Sequence, residues 1–148
     1  MNLISDIRLK WYDDGSLHSE DKRKLLELFL DSLGVSRDVA ADIFEVLLIA
    51  RSKGIGLTAG EIKEGVLQLR ERRGLAPDRS LSSRNMQIWL KFFRDLELVE
   101  RMGSRYHFAG NKKPSALFIE RTKPDIIDKS SDYIFRLLQE IEKNYSIK

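Results

Sequence analysis

The sequence predicts a mainly helical protein of the α+β class, with helices on both sides of one small β-hairpin. Three observations support this prediction: apolar residues recur at helical spacing, capping residues and glycines separate the periodic stretches, and two short β-prone runs flank Gly103-Ser104. The 148 residues are 42% hydrophobic, which allows a packed core. We expect an N-terminal helical arm over residues 1–34, a central domain over 35–113 and a C-terminal helical extension over 114–148.

Two helices are predicted in the N-terminal arm. The first has apolar residues at helical spacing, namely Leu3, Ile4, Ile7 and Trp11. Ser19 is expected to cap the second helix, and Gly34 is placed to end it in a left-handed conformation. The next helix is expected to begin at Ser36 and to end at residues 52–54.

Two further helices are predicted in the central domain. Thr58 and Glu61 form a capping box at the start of one helix, and Gly74 and Pro77 break the chain after it. Leu81 to Leu96 forms the next helix, and its inner side carries Met86, Leu90 and Phe93. Burial of that side turns the opposite side outward.

A hairpin and a last helix complete the prediction. Gly103-Ser104 suits a two-residue type II′ turn, which pairs Val99 with Phe108 and Arg101 with Tyr106. The run from Ala116 to Ile119 is ambiguous between strand and helix. Pro124 and Asp125 are expected to open the last helix, whose apolar side holds Ile127, Ile134, Leu137, Leu138, Ile141 and Tyr145.

Charge is distributed unevenly along the chain. The net charge is +3, but residues 51–113 hold 14 basic and seven acidic residues, a balance of +7. The two flanks together hold 12 basic and 16 acidic residues, a balance of −4. A basic middle segment indicates either a polyanion partner or a solvated basic face.

Several classes of function are not expected. The chain has no cysteine and only two histidines, far apart, so neither a disulfide nor a zinc site is predicted, and no cofactor is expected. No phosphate-binding loop and no nucleophile–histidine pair is seen, so we do not expect an enzyme. Without a signal peptide or a long apolar run, a cytoplasmic protein without a membrane partner is predicted. The high charged fraction of 33% without cysteine is typical of thermophilic proteins.

The predicted order of helix, short strand, capped helix, turn, helix and hairpin is that of a winged helix-turn-helix. The segment GLTAGEIKEGV resembles the second-helix entry of winged-helix regulators, and LSSRNMQIWLKFFRDLELVER resembles a recognition helix entering the first wing strand. The resemblance covers about residues 40–110. A long stretch, Leu67 to Ser80, replaces the usual tight turn between the two helices. This spacing resembles that in the winged-helix domains of archaeal replication initiators and, less closely, that in PadR-like regulators. The sequence departs from the winged-helix pattern at Glu97, where a glycine is usual. We therefore expect the helix to run straighter into the first wing strand.

This arrangement nominates residues for DNA contact. Arg and Gln suit the edges of guanine and adenine, and Ser at a helix start suits phosphate. The candidates are Ser82, Ser83, Arg84, Asn85, Gln87, Lys91, Arg105 at the wing tip, Lys112 and Lys113.

Other basic and aromatic residues are expected to be structural. Arg101 should lie along Tyr106. The three arginines at the end of the capped helix complement the helix dipole, a role that requires no binding partner. Trp89, Phe92 and Phe93 are expected in the core. Those three arginines are Arg70, Arg72 and Arg73.

We therefore expect a DNA-binding protein, most simply a transcriptional regulator that reads double-stranded DNA with residues 82–96 in the major groove and the 98–108 hairpin as wing. Two alternatives remain: a replication or plasmid-maintenance factor that uses the same helix, and a winged-helix protein-interaction module that does not bind DNA. The apolar flanks favour a homodimer.

Overall fold

A computed structural model describes residues 1–76 and 81–148. The predicted chain break at Pro77 lies outside these residues. The protein is mainly helical with a small antiparallel sheet, as predicted. In chain order the elements are α1 (Lys22–Ser32), α2 (Asp38–Ser52), β1 (Leu57–Thr58), α3 (Ala59–Arg72), α4 (Ser83–Asp95), β2 (Val99–Met102), β3 (Arg105–Phe108), α5 (Pro114–Leu117), a π-helical segment (Phe118–Asp128) and α6 (Lys129–Asn144).

The first predicted helix is wrong. Residues 1–13 have no regular secondary structure, and a short 3-10 helix follows at Asp14–His18. Residues 10–12 instead lie beside α1. The Lys10 N–H donates to the Ser32 carbonyl at 2.8 Å, and the Tyr12 hydroxyl donates to Asp31. An isolated helix of this length is marginal in water, so these contacts decide the conformation.

The starts of α1 and α2 differ slightly from the prediction, whereas the end of α1 agrees with it. Asp21, not Ser19, caps α1 by accepting two backbone N–H bonds from its first turn. Gly34 has the predicted left-handed backbone, with φ 81°. The residue before α2 is Arg37 rather than Ser36, and its side chain makes no capping bond.

Helix α2 lies at the centre of the core. The ring of Phe44 lies 5.0–5.6 Å from those of Phe29 in α1, Phe93 in α4 and Phe108 in β3. One cluster of buried side chains therefore joins the N-terminal arm, the central helices and the hairpin. The aromatic packing explains why α2, unlike a surface helix, is apolar on most sides.

Among the described residues three strands form an antiparallel sheet in the order β1-β3-β2. The predicted register of the hairpin is confirmed, with Val99 opposite Phe108 and Arg101 opposite Tyr106. Gly103 has a φ of 61° while Ser104 does not have a positive φ, which is the pattern of a type II′ turn. The short β1 is stable as a strand because it pairs with β3. The capping box of Thr58 with Glu61 is also confirmed.

The expected straight run from α4 into β2 is wrong. Glu97 adopts a left-handed backbone with φ 63°, the conformation for which glycine is usual. The Leu98 N–H donates to the Phe93 carbonyl at 3.2 Å across this turn. The helix therefore ends sharply although the residue is not glycine, because the bond from Leu98 to Phe93 requires the left-handed backbone at Glu97.

The last helical stretch begins earlier than predicted, so the prediction for Pro124 is wrong. Helical backbone starts at Pro114 and continues to Asn144, with Pro124 inside the π-helical segment. The ambiguous run at 116–119 is thus helical. Leu117, Thr122 and Ile126 anchor this stretch to the core as buried side chains. Among the described residues, no helix is both apolar enough and long enough to cross a membrane.

Candidate nucleic-acid interface

Helix α4 has one buried side and one open side. Met86, Leu90 and Phe93 are buried, as predicted, at 2%, 0% and 0% exposure. Among the described residues, the opposite side is exposed to solvent. Its exposed residues are Ser82, Ser83, Arg84, Gln87, Ile88, Lys91, Arg94 and Asp95.

The serine at the start of α4 serves as its cap. The Ser82 hydroxyl oxygen accepts the backbone N–H of Asn85 at 3.1 Å, so this oxygen has a structural role. Ser83 is exposed at the first helical position, while Asn85 is half-buried. Of the serines and the asparagine nominated for DNA contact, Ser83 presents the more open side chain.

Gln87 is held by the sheet. The hydroxyl of Tyr106, a residue only 2% exposed, donates to Gln87 Oε1 at 3.2 Å. This bond orients the amide of Gln87 at the junction between α4 and β3 and leaves its NH₂ group to donate outward. Trp89 and Phe92 pack against the core beside Phe93, which confirms the structural prediction for these rings.

Three cations lie on the open side of α4. Lys91 pairs with Asp95 at 2.7 Å, but both side chains are largely exposed, so the pair is weak and can be exchanged for another partner. Arg84 and Arg94 make no ion pair with another described residue. Sequence analysis missed Arg94, although its spacing from Lys91 and Gln87 places it on the same helical side. From Leu81 to Arg94 the chain has no acidic residue.

Arg105, nominated at the wing tip for DNA contact, is bonded within the chain. Its Nη1 donates to the Gly56 carbonyl at 3.0 Å and to Glu61 Oε1 at 2.9 Å, so the guanidinium bends back over β1. The reason is the capping box, which fixes the Glu61 carboxylate next to the sheet. Bonds from the backbone and then the hydroxyl of Thr58, followed by Arg105, hold the pKa of Glu61 below its usual value.

The prediction for Arg101 is confirmed. Its guanidinium carbon lies 5.8 Å from the centre of the Tyr106 ring, and its Nε donates to the Gly103 carbonyl at 2.9 Å. Both contacts hold this cation along the hairpin. The tip itself carries the exposed Met102.

Lys112 and Lys113 lie after the hairpin, at the base of the sheet. The Lys112 ammonium pairs with Glu120 at 2.5 Å, and its carbonyl accepts Arg51 Nε at 3.3 Å. Lys113 is exposed directly before α5. The contacts of Lys112 are thus with α2 and the π-helical segment, and the structure does not bring it to the open side of α4.

A buried ion network, which sequence analysis missed, uses several of the remaining charges. Asp42 and Glu45 of α2 are 1% and 7% exposed, and arginines from α1 and α3 surround them. Arg73 Nη2 lies 2.6 Å from Glu45, and Arg70 Nη1 lies 3.3 Å from Asp42. These arginines are structural, as expected, but the reason is buried carboxylates rather than the helix dipole alone. Two acids three residues apart within an apolar stripe were the signal for this network.

The basic excess of the middle segment is therefore partly neutralised within the chain. Arg84 and Arg94 on the open side of α4 make no ion pair with another described residue, and neither do the exposed Lys53, Lys63 and Arg72 elsewhere in the segment. Within residues 1–76 and 81–148, no cluster of three or more His, Asp or Glu side chains could hold a metal ion. No protein-family model matches the chain, and neither a curated protein nor a solved structure is significantly similar to it.

Proposed function

We propose that this chain is a winged-helix DNA-binding protein that acts as a transcriptional regulator. In this proposal α4 enters the major groove of double-stranded DNA, and the β2–β3 hairpin is the wing that lies against the backbone. The observation that carries the proposal is the open side of α4, which is mainly polar and carries three cations against one acidic residue, Asp95, at the end of the helix.

The order of the elements supports the winged-helix assignment. Helices α2, α3 and α4 surround one core, and the sheet order β1-β3-β2 places the hairpin directly after α4. A DNA-reading helix must bury one stripe and present the other, and α4 does both. Its width also suits the groove, which admits a single α-helix.

The side chains of α4 match the chemistry of base edges and phosphates. The guanidinium of Arg84 can bind the O6 and N7 acceptors of guanine, and the amide of Gln87 can donate to a base edge. Lys91 and Arg94, farther along the helix, are placed for phosphates. The half-exposed Ile88 lies between Arg84 and Lys91 on the helix surface, where it can contact a thymine methyl group.

The wing contributes less charge in this proposal than the sequence alone indicated. Arg105 is already paired with Glu61, and Arg101 lies along the hairpin. Because both side chains of the Arg105–Glu61 pair are about half exposed, a phosphate can replace Glu61 as the partner of the guanidinium. The wing then gives affinity without sequence preference.

Selection of bound duplexes from a random pool tests the proposal. The chain should enrich a preferred sequence. The logarithm of its binding constant should fall linearly with the logarithm of the salt concentration, with a slope of about −0.9 per neutralised phosphate. Arg84→Ala should lose about 1–3 kcal/mol of discrimination at one base pair. Arg136→Ala is the matched control, because Arg136 is an exposed arginine on α6, away from α4.

Two results would contradict the proposal. One is the absence of duplex binding at low salt, which would favour a protein-interaction module instead. The other is equal affinity and equal discrimination in Arg84→Ala and the wild type, which would exclude α4 as the reading helix.

A further inference from the structure

Helix α6 presents an apolar stripe to solvent. Every residue from 131 to 148 is exposed, although the helix continues to Asn144. The stripe consists of Ile134, Leu137, Leu138, Ile141 and Tyr145, with exposures of 58%, 43%, 51%, 48% and 78%. A helix of this length is marginal in water unless its apolar side packs against something. Its helical form therefore indicates a partner for this stripe.

The spacing of the stripe is symmetric about its own centre. Ile134 and Ile141 lie equally far from the midpoint between Leu137 and Leu138. Ser130 and Tyr145 form the next symmetric pair, a small residue and a large one. In an antiparallel pair of identical helices, each residue therefore meets an apolar or a size-complementary residue. A two-fold interface requires this self-complementarity.

Area and charge agree with a second copy as the partner. With about half of each side chain exposed, the stripe offers roughly 500 Å² per copy, or about 1,000 Å² over two copies, which reaches the lower range of specific interfaces. Residues 129–148 hold four basic and three acidic residues. This near-neutral helix suits neither a polyanion nor an anionic membrane surface, which requires a polar side rich in Lys and Arg.

We infer that α6 pairs with α6 of a second copy in an antiparallel, two-fold arrangement centred between Leu137 and Leu138. Ile134 of one copy then packs against Ile141 of the second copy, and Ser130 makes room for Tyr145. The N-terminal helix is not the dimer element, because α1 already packs on α2 through Phe29 and Phe44. The pairing uses no residue of the open side of α4 and does not depend on DNA.

Sedimentation equilibrium of the full chain tests the pairing. The wild type should show twice the chain mass of 17.2 kDa. Leu138→Lys should weaken the dimer on the order of 100-fold, because each copy loses a central apolar contact and gains a buried charge. Phe135→Lys is the control: Phe135 is 61% exposed on the same helix but lies outside the stripe, so its dimer should persist.

The substituted residues have no buried role in the single chain, so both variants should fold, and far-UV circular dichroism checks this. A wild type of single-chain mass at high concentration would overturn the inference, as would equal weakening by both substitutions.

Introduced cysteines test the orientation, since the chain has none of its own. Ile134→Cys mixed with Ile141→Cys should form a disulfide-linked dimer under oxidising conditions, whereas neither variant should do so alone. A disulfide formed by each variant alone would mean a parallel pair and would overturn the antiparallel arrangement.

Discussion

Helices α4 and α6 are both strongly amphipathic, but they differ in which side is left open. In α4 the apolar residues Leu90 and Phe93 are fully buried, and the polar side faces solvent. In α6 the apolar residues Leu138 and Ile141 are about half exposed, because nothing in the described part of the chain covers them. The same sequence pattern thus produces a surface for a charged partner in one helix and for an apolar partner in the other.

The two helices differ in exposure because different elements pack against them. The left-handed turn at Glu97 sends the chain from α4 into the hairpin, which packs on α2 beside α4. The π-helical segment is anchored by Thr122 and Ile126, and beyond Ser130 the helix extends past the last element that could cover it. An amphipathic pattern therefore predicts a side to bury, but not the surface that buries it.

The comparison predicts opposite responses to truncation of an apolar residue. Phe93→Ala should lower the free energy of unfolding by about 3–5 kcal/mol, because it opens a cavity beside Phe44. Leu138→Ala should change the stability of the single chain by less than about 0.5 kcal/mol. Urea denaturation of dilute protein measures both. Equal losses would mean that the stripe of α6 is covered within one chain.

The next largest loss of stability is expected at the hydrogen bond that joins the π-helical segment to the end of α4. The buried hydroxyl of Thr122 donates to the carbonyl of Leu96 at 2.7 Å, directly after α4. Thr122→Val keeps the size but leaves this carbonyl without its donor, which should cost about 1–2 kcal/mol. Thermal unfolding measures the loss, and Thr122→Ser, which restores the hydroxyl, should recover part of it. No loss in the valine variant would contradict a role of this bond in anchoring the helix.

The smallest effect is expected at Glu97, where the turn after α4 uses a strained residue. Glu97→Gly should raise the free energy of unfolding by about 1 kcal/mol, because glycine adopts the left-handed conformation without a Cβ clash. A decrease in stability on this substitution would show that the Glu97 side chain contributes more than its backbone strain costs.

The carboxyl of Glu97 also predicts a pH dependence. Its burial and, next, the carboxyl of Asp125 raise its pKa above the usual 4.5. The folded state therefore holds this proton more tightly than the unfolded state, and the contribution of Glu97 to stability falls as pH rises from about 4.5 through the raised pKa. Glu97→Gln should gain stability relative to the wild type at pH 7 and lose this advantage near pH 4, as measured by urea denaturation. A pH-independent difference would contradict the raised pKa.

Much of the central fold follows from local sequence. The capping box of Thr58, the type II′ turn at Gly103 and the buried side of α4 were predicted correctly, because each depends on residues a few positions apart. Predictions failed where a distant contact competes with local preference. Residues 1–13 contact α1 instead of forming a helix. The pairing of Arg105 with a carboxylate 44 residues earlier in the chain is likewise a distant contact that local sequence does not indicate.

The sequence by itself determined the alternation of helices with one hairpin, the inner side of α4 and the location of the basic segment. Only the tertiary structure decided which of those cations remain free. Arg70, Arg73 and Arg105 are held by carboxylates from other elements, whereas Arg84 makes no ion pair with another described residue. Charge spacing along a chain carries no information about such long-range pairs. Likewise, periodicity identified the stripe of α6, but its exposure depends on which other described elements pack against that helix. Both outcomes are set by packing geometry, which local propensity does not encode.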